Sequence, residues 1–152
     1  LVMPGGWITV RTKEIATGEV RVVYDGENLI TDNGLTTLSR LLAQQAVVPA
    51  DLKITTIKFG DGSTTPAVTQ TTIAGSEIEN ETVTATEDVA AIPGLIEFEA
   101  ELDTTEGNGS TIREVALMTS NGTMFARQLI EPVAKDNTIT LTANWRLQFI
   151  ES

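Results

Sequence analysis

The chain contains no cysteine and no histidine. Without cysteine it has no disulfide framework and no thiolate zinc site. Without histidine it lacks the commonest metal ligand and the commonest general base near neutral pH. Basic residues are scarce as well. Ten Lys and Arg face 21 Asp and Glu, for a formal net charge of −11. No basic cluster occurs that would suit a nucleic acid duplex, and the same charge disfavours an anionic membrane surface. Aromatics make up only 5% of the residues. No apolar run approaches the roughly 18 residues of a transmembrane helix. Residues 1–6 have neither a basic n-region nor a long apolar h-region, so no signal peptide is expected there. Leu at position 1 in place of Met is expected of a trimmed chain or a non-standard start. No cofactor is expected.

What the chain does have is strand pattern. Its 152 residues suit one domain, 1–152, with a core large enough to need no staples. The most informative stretch is 109–149. Ile139, Leu141, Ala143, Trp145, Leu147 and Phe149 alternate with Thr140, Thr142, Asn144, Arg146 and Gln148, a period of two that predicts a strand buried on one face. Just before it, Asn121-Gly122 lies between two apolar-rich runs, 112–118 and 124–130, and predicts a hairpin. The chain also opens with a predicted hairpin, 7–11 and 20–24 around Thr17-Gly18. Further strands are expected at 54–59, more weakly at 77–86, and at 95–102. A polar, Thr-rich loop at 63–72 holding Pro66 is expected to be exposed and to contact something. One helix is expected near 32–45, capped by Thr31 or Asp32. Leu35, Leu38, Leu41 and Leu42 would form its apolar stripe, lying against a sheet or a partner, and Val47-Val48-Pro49 would end it. The fold class is mainly β: an antiparallel β-sandwich, with a jelly-roll or barrel arrangement as the alternative.

Several residue groups could carry chemistry, and each has a plainer reading. Asp103, Glu106 and Asn108 crowd one turn and could offer oxygen ligands to calcium. They lack the regular calcium-loop spacing, and a solvated turn explains them. Gly60-Asp61-Gly62-Ser63 resembles a phosphate loop, but neither a Lys-Ser/Thr pair nor a helix start follows, which favours a turn. Glu97, Glu99 and Glu101 share one face of a strand. Paired carboxylates can hydrolyse glycosides, yet a row on an outer face reads more simply as charge that blocks stray edge pairing. Arg127 and Lys135 read as surface cations near Asp136 or Glu131. Trp7 and Trp145 could stack on sugars. Trp145 fits the core better, and Trp7 suits an interface. The glycosylation triplets at Asn80, Asn108 and Asn121 carry little meaning without a secretory signal.

A resemblance runs through these pieces in order. Asn28-Leu29-Ile30-Thr31-Asp32-Asn33-Gly34-Leu35, then Ile57-Lys58-Phe59-Gly60-Asp61-Gly62 with Pro66, then Glu106-Gly107-Asn108-Gly109 and the 112–149 run resemble a structural module of tailed-bacteriophage virion proteins, seen in tail-fibre or collar proteins and other small virion proteins. The resemblance implies a non-enzymatic virion component, assembled in the host cytoplasm. Its partners would be other virion proteins, with no nucleic acid and no membrane, and it would form a homo-oligomer, often a trimer. Because no repetitive shaft is present, a small stand-alone fibre, collar or baseplate protein is expected. A capsid decoration protein is the alternative, and a carbohydrate-binding module or tail-associated glycosidase the further one. The residues expected to touch neighbours are Trp7, Leu38, Leu42, Pro66, Thr140, Thr142 and Arg146.

Overall fold

The computed structural model describes residues 2–43, 52–87 and 92–151, with side chains from residue 6 to residue 148 of those ranges. Eleven elements follow one another: β1 (Val2–Glu14), β2 (Val20–Glu27), β3 (Leu29–Ile30), α1 (Asp32–Ala43), β4 (Ile54–Gly60), β5 (Glu77–Thr82), β6 (Thr84–Glu87), β7 (Leu95–Leu102), β8 (Thr111–Thr119), β9 (Met124–Ala134) and β10 (Ile139–Glu151). They form two five-stranded sheets. Sheet one has the order β2-β1-β10-β7-β6 and sheet two the order β3-β9-β8-β4-β5, with every pairing antiparallel. The sandwich is the expected one. The residues at 44–45 of the predicted helix and its predicted stop at Val47-Val48-Pro49 lie outside the described residues.

The period-two alternation of the last strand does what it predicts. Leu141, Ala143, Trp145 and Leu147 are buried in one core with Ile8, Val10, Phe98 and Leu102 of sheet one and Ile57, Phe59, Val115, Leu117 and Phe125 of sheet two. Each fully buried Leu, Ile or Phe contributes about 1.5–3 kcal/mol relative to exposure. β10 is the central strand of sheet one, paired with β1 over its whole length and with β7 from Leu141 to Gln148.

Two expectations need correction. The weak strand foreseen at 77–86 is two strands in different sheets. At Val83 the backbone N–H donates to Thr55 O (2.9 Å), and the chain then leaves β4 to pair β6 with β7. The helix does not pack through its four leucines. Gly34 and Thr37 are its buried residues, and Leu38 is half-buried, whereas Leu35, Leu41 and Leu42 are exposed. The reason is a close approach. A Cβ on Gly34 would lie 2.1 Å from Phe125 O, so α1 rests on β9 backbone to backbone. Of the two cap candidates, Thr31 is the one used. Its Oγ1 accepts from Gly34 N (3.0 Å) and donates to Met124 O (2.7 Å), which ties the first helical turn to β9.

Gly34→Ala tests this contact. Alanine gains roughly 1 kcal/mol in helix propensity, but forcing a methyl against the β9 carbonyl costs about 1–3 kcal/mol. A lower Tm by circular dichroism is expected, with Leu42→Ala nearly neutral. A Tm raised by Gly34→Ala would show that the helix does not sit against β9.

Candidate interaction site

The two sheets treat their outer faces differently. On sheet one, the outward residues of β10 reach the carboxylates of β7 in a ladder. Arg146 Nε donates to Glu97 Oε2 (2.8 Å), Asn144 Nδ2 to Glu99 Oε2 (3.1 Å) and Thr142 Oγ1 to Glu101 Oε2 (2.9 Å). Burial opposes ionisation of Glu97, but hydrogen bonds from Asn144 and Arg146 outweigh it and hold its carboxyl below the usual range. β7 is an interior strand and β6 is the edge, so the three glutamates do not guard an edge. They are acceptors for the central strand. On the other side of β10, Trp7 Nε1 and Thr9 Oγ1 both donate to Asp25 Oδ1 (2.8 Å each), and these bonds lower the pKa of Asp25. On this face Trp7 and Arg146 are exposed, whereas Thr140 and Asn144 are buried among their neighbours.

Sheet two is covered on both sides. Its outer face presents Glu114, Ala116 and Met118 of β8 and Met124 and Arg127 of β9, all buried. The loop 61–76 lies over them as a strap, with Ile73 packed on Ala116, Met118 and Met124. Glu114 and Arg127 hold it there. Arg127 Nε meets Glu114 Oε2 at 2.5 Å, with both side chains 0% exposed. The carboxylate also accepts backbone N–H bonds from Gly62 (2.9 Å), Gly75 (2.8 Å) and Ala74 (3.0 Å). Arg127 donates its remaining amino groups to Gln70 Oε1 (3.0 Å) and Thr64 O (2.9 Å). Burial alone would raise the Glu114 pKa, but the Ala74 and Gly75 amides and the Arg127 guanidinium outweigh it and keep the pKa low. The Gly60-Asp61-Gly62-Ser63 turn is therefore no phosphate loop, yet its Gly62 amide does bind an anion, the chain's own Glu114. A side chain at Gly62 would collide with that carboxylate, since a Cβ there would lie 2.2 Å from Oε1.

The acidic turn 103–110 has a similar internal counter-ion. Lys135 is buried, and its Nζ donates to Asp103 O (2.7 Å), Asp136 O (2.9 Å) and Asn108 Oδ1 (3.2 Å). The ammonium takes Asn108 Oδ1, while the carboxylates of Asp103 and Glu106 accept from Thr105 and from the Asp103 amide within the turn. The groups that bear on the Lys135 pKa are burial, which lowers it, opposed by Asp136, Asp103 and Glu106; the net direction is down. Arg127 and Lys135 are thus both buried, contrary to the surface reading. Glu131 pairs with Arg21 instead.

A third feature is an apolar cleft of about 530 Å³ between the sheets, lined by Ile30, Leu38, Leu41, Leu52, Ile96 and Leu147 among others.

The seven residues expected at an interface fall in three places. Trp7, Thr140, Thr142 and Arg146 share the outer face of sheet one, where Trp7 is 45% exposed and Thr140 is buried. Leu38 lines the cleft, while Leu42, on the same helix, is 74% exposed. Pro66 sits half-buried in the strap. Trp145 lies in the core and offers no stacking surface. The Glu114–Arg127 pair escaped the sequence reading, although a signal was present. Both residues sit inside runs that are apolar on both faces, Ile112 to Met118 and Met124 to Ile130. A strand buried on both faces can hold a charge only if that charge is paired.

These features define a two-sheet β-sandwich built as a structural module, with its charged side chains used in bracing. The chain matches the family described as phage tail-collar fibre protein, N-terminal, over residues 27–144. It therefore belongs to that family, and is a structural component of a phage tail. The matched span runs from the end of β2 into β10 and includes the strap, the helix and both buried cations. No curated protein and no solved structure matches the chain.

Removing one member of the buried pair leaves the other charge without a partner. Arg127→Met is expected to lower stability by about 3–5 kcal/mol, and Arg127→Met with Glu114→Gln by less than the sum of the single changes. The pH dependence follows from the lowered pKa of Glu114. Its ionised form adds stability above the ordinary value of 4.5, and that stability is lost as pH falls through the lower folded value. In urea titrations the gap between the native chain and Glu114→Gln should narrow from about pH 7 to about pH 3. A gap that stays constant would show that Glu114 is not the ionised anchor of the strap.

Proposed function

We propose that this tail protein works at the fibre, collar or baseplate, where it contacts other virion proteins and copies of itself without catalysing a reaction. The family match over residues 27–144, from the end of β2 into β10, carries this reading. The disposition of the carboxylates supports it. A retaining or inverting glycosidase needs an acid whose pKa is raised. Glu97, Glu99 and Glu101 instead each accept a hydrogen bond from β10, and Glu97 is held ionised. The internal use of Arg127 and Lys135 also supports a rigid module. Each fixes a loop that would otherwise be free to move.

Purified virions test the position. A tail component is expected at a few copies per particle on a stained gel. A copy number near that of the major capsid protein would favour a decoration protein on the head, and absence from virions would remove both readings. The glycan reading rests on Trp7, an exposed indole beside Asp25. A glycan array on which binding is lost in Trp7→Ala would be needed to sustain it.

A further inference from the structure

Asparagine is followed by glycine at Asn33-Gly34, Asn108-Gly109 and Asn121-Gly122. Such a pair can react with itself. The glycine nitrogen can add to the asparagine Cγ because no Cβ on the second residue obstructs the approach. The structure treats the three pairs differently. Asn33 lies in the first turn of α1. Gly34 is buried, its amide donates to Thr31 Oγ1 (3.0 Å), and a Cβ on it would lie 2.1 Å from Phe125 O. Ring closure there would unwind the start of the helix and lift it from β9. Asn108 is held at both ends of its carboxamide. Its Nδ2 donates to Thr104 O (2.8 Å) and its Oδ1 accepts from Lys135 Nζ (3.2 Å), while Gly109 N donates to Lys135 O (2.9 Å). Moving this carboxamide would take an acceptor from a buried ammonium.

Asn121 and Gly122 are exposed at the tip of the β8–β9 hairpin, where Gly122 has a φ of 83°. Asn121 Oδ1 accepts from Thr119 Oγ1 (2.5 Å) and from Thr123 N (3.1 Å), an amide that Thr119 Oγ1 shares (3.1 Å). A side chain bonded to the amide two residues on arches over the amide between, which sets Cγ beside Gly122 N. The two donors point at the oxygen on which negative charge develops as that nitrogen adds to the carbonyl. One bond opposes the reaction. Gly122 N donates to Thr119 O (3.0 Å), and this bond has to open, at a tip where water can replace it.

We propose that the Asn121-Gly122 turn is a site of spontaneous deamidation, and the first of the three pairs to react in the folded chain. Gly122 N bonds to Asn121 Cγ, the Cγ–Nδ2 bond breaks, and ammonia leaves, closing a succinimide ring. The proton given up by the amide nitrogen returns through solvent to the leaving group. Water then opens the ring at either carbonyl. The net reaction consumes water, releases ammonia and leaves aspartate or isoaspartate at position 121. No oxidant or cofactor takes part. The two products differ in their effect. Aspartate keeps an oxygen for Thr119 and Thr123 and so keeps the turn. Isoaspartate lengthens the main chain by one atom, next to the Met118↔Met124 pair that closes the hairpin. Either product adds one negative charge to a chain that already carries −11.

Peptide mapping by mass spectrometry tests the proposal, on the whole chain aged at mildly alkaline pH, folded and in urea. In the folded chain, conversion at Asn121 is expected to exceed that at Asn33 and at Asn108 severalfold. In urea the three rates should draw together, because the contacts that separate them are lost. Isoelectric focusing should show a main acidic species in the aged folded chain, absent from Asn121→Gln, whose longer side chain cannot close the five-membered ring. Asn121→Asp should have the native Tm by circular dichroism and migrate with that species. Equal conversion at the three pairs in the folded chain, or Asn33 or Asn108 ahead, would overturn the proposal. So would no conversion at Asn121 while the chain in urea reacts, an excess at Asn121 that persists unchanged in urea, or a main acidic species that survives Asn121→Gln.

Discussion

The carboxylate of Glu114 is the constraint on which sheet two depends. β8 is buried on both faces, so one of its outward positions carries a charge with no route to water. Three loop amides and a guanidinium satisfy that charge, and all of them come from other parts of the chain: 62, 74–75 and β9. The loop 61–76 is too polar to be held by the hydrophobic effect alone, with Ile73 its main apolar contact. The carboxylate collects amides from both ends of the strap, and Arg127 reaches into its middle through Gln70 and Thr64. A hydrophobic pair in place of Glu114 and Arg127 would suit the burial but would leave the strap's amides and carbonyl without partners. The ion pair thus specifies the loop's course more than it adds stability.

This bracing makes the sandwich asymmetric. Sheet two is closed by the strap and by α1, which docks through Gly34 and Thr31. Among the described residues the outer face of sheet one carries no strap, and it is dressed with paired polar groups. A solvated face needs no cross-strand ladder to stay soluble in a chain this acidic. A ladder does fix long side chains in place, which lowers the entropy that a contacting surface would lose on binding. The open sheet is consequently the better-prepared face for contact, and the closed sheet is the rigid back that supports it.

How far this was legible in the sequence depended on whether a residue's role was local. The alternation of 139–149, the Asn121-Gly122 turn and the opening hairpin each encode their structure in neighbouring residues, and the strands formed where the pattern put them. The helix was found for the same reason, but its packed face was not. The leucine stripe is a local pattern, whereas the contact is decided by a missing side chain at Gly34 and a carbonyl 91 residues later, at Phe125. The strand foreseen at 77–86 was divided between two sheets because its register is set by β4 and β7, neither of which the segment itself reveals. Arg127 and Lys135 were read as surface cations by their type. Only the apolar residues on either side of Arg127 marked it as buried, and the oxygens that hold Lys135 are spread over two turns.

The scarcity of cations gives these placements their weight. With ten Lys and Arg against 21 Asp and Glu, each buried cation is one fewer to offset the surface charge. Arg127 and Lys135 are nevertheless used inside, and Arg21, Lys58 and Arg146 are engaged in ion pairs at the surface. Arg11 and Lys13 stand on the outer face of sheet one, beside a groove that Glu99 and Glu101 also line, and the charge of Arg11 helps to lower the pKa of Glu97. The cations left on this face therefore act on the carboxylate row of their own sheet, and like-charge repulsion along β7 is reduced without a close ion pair at every level.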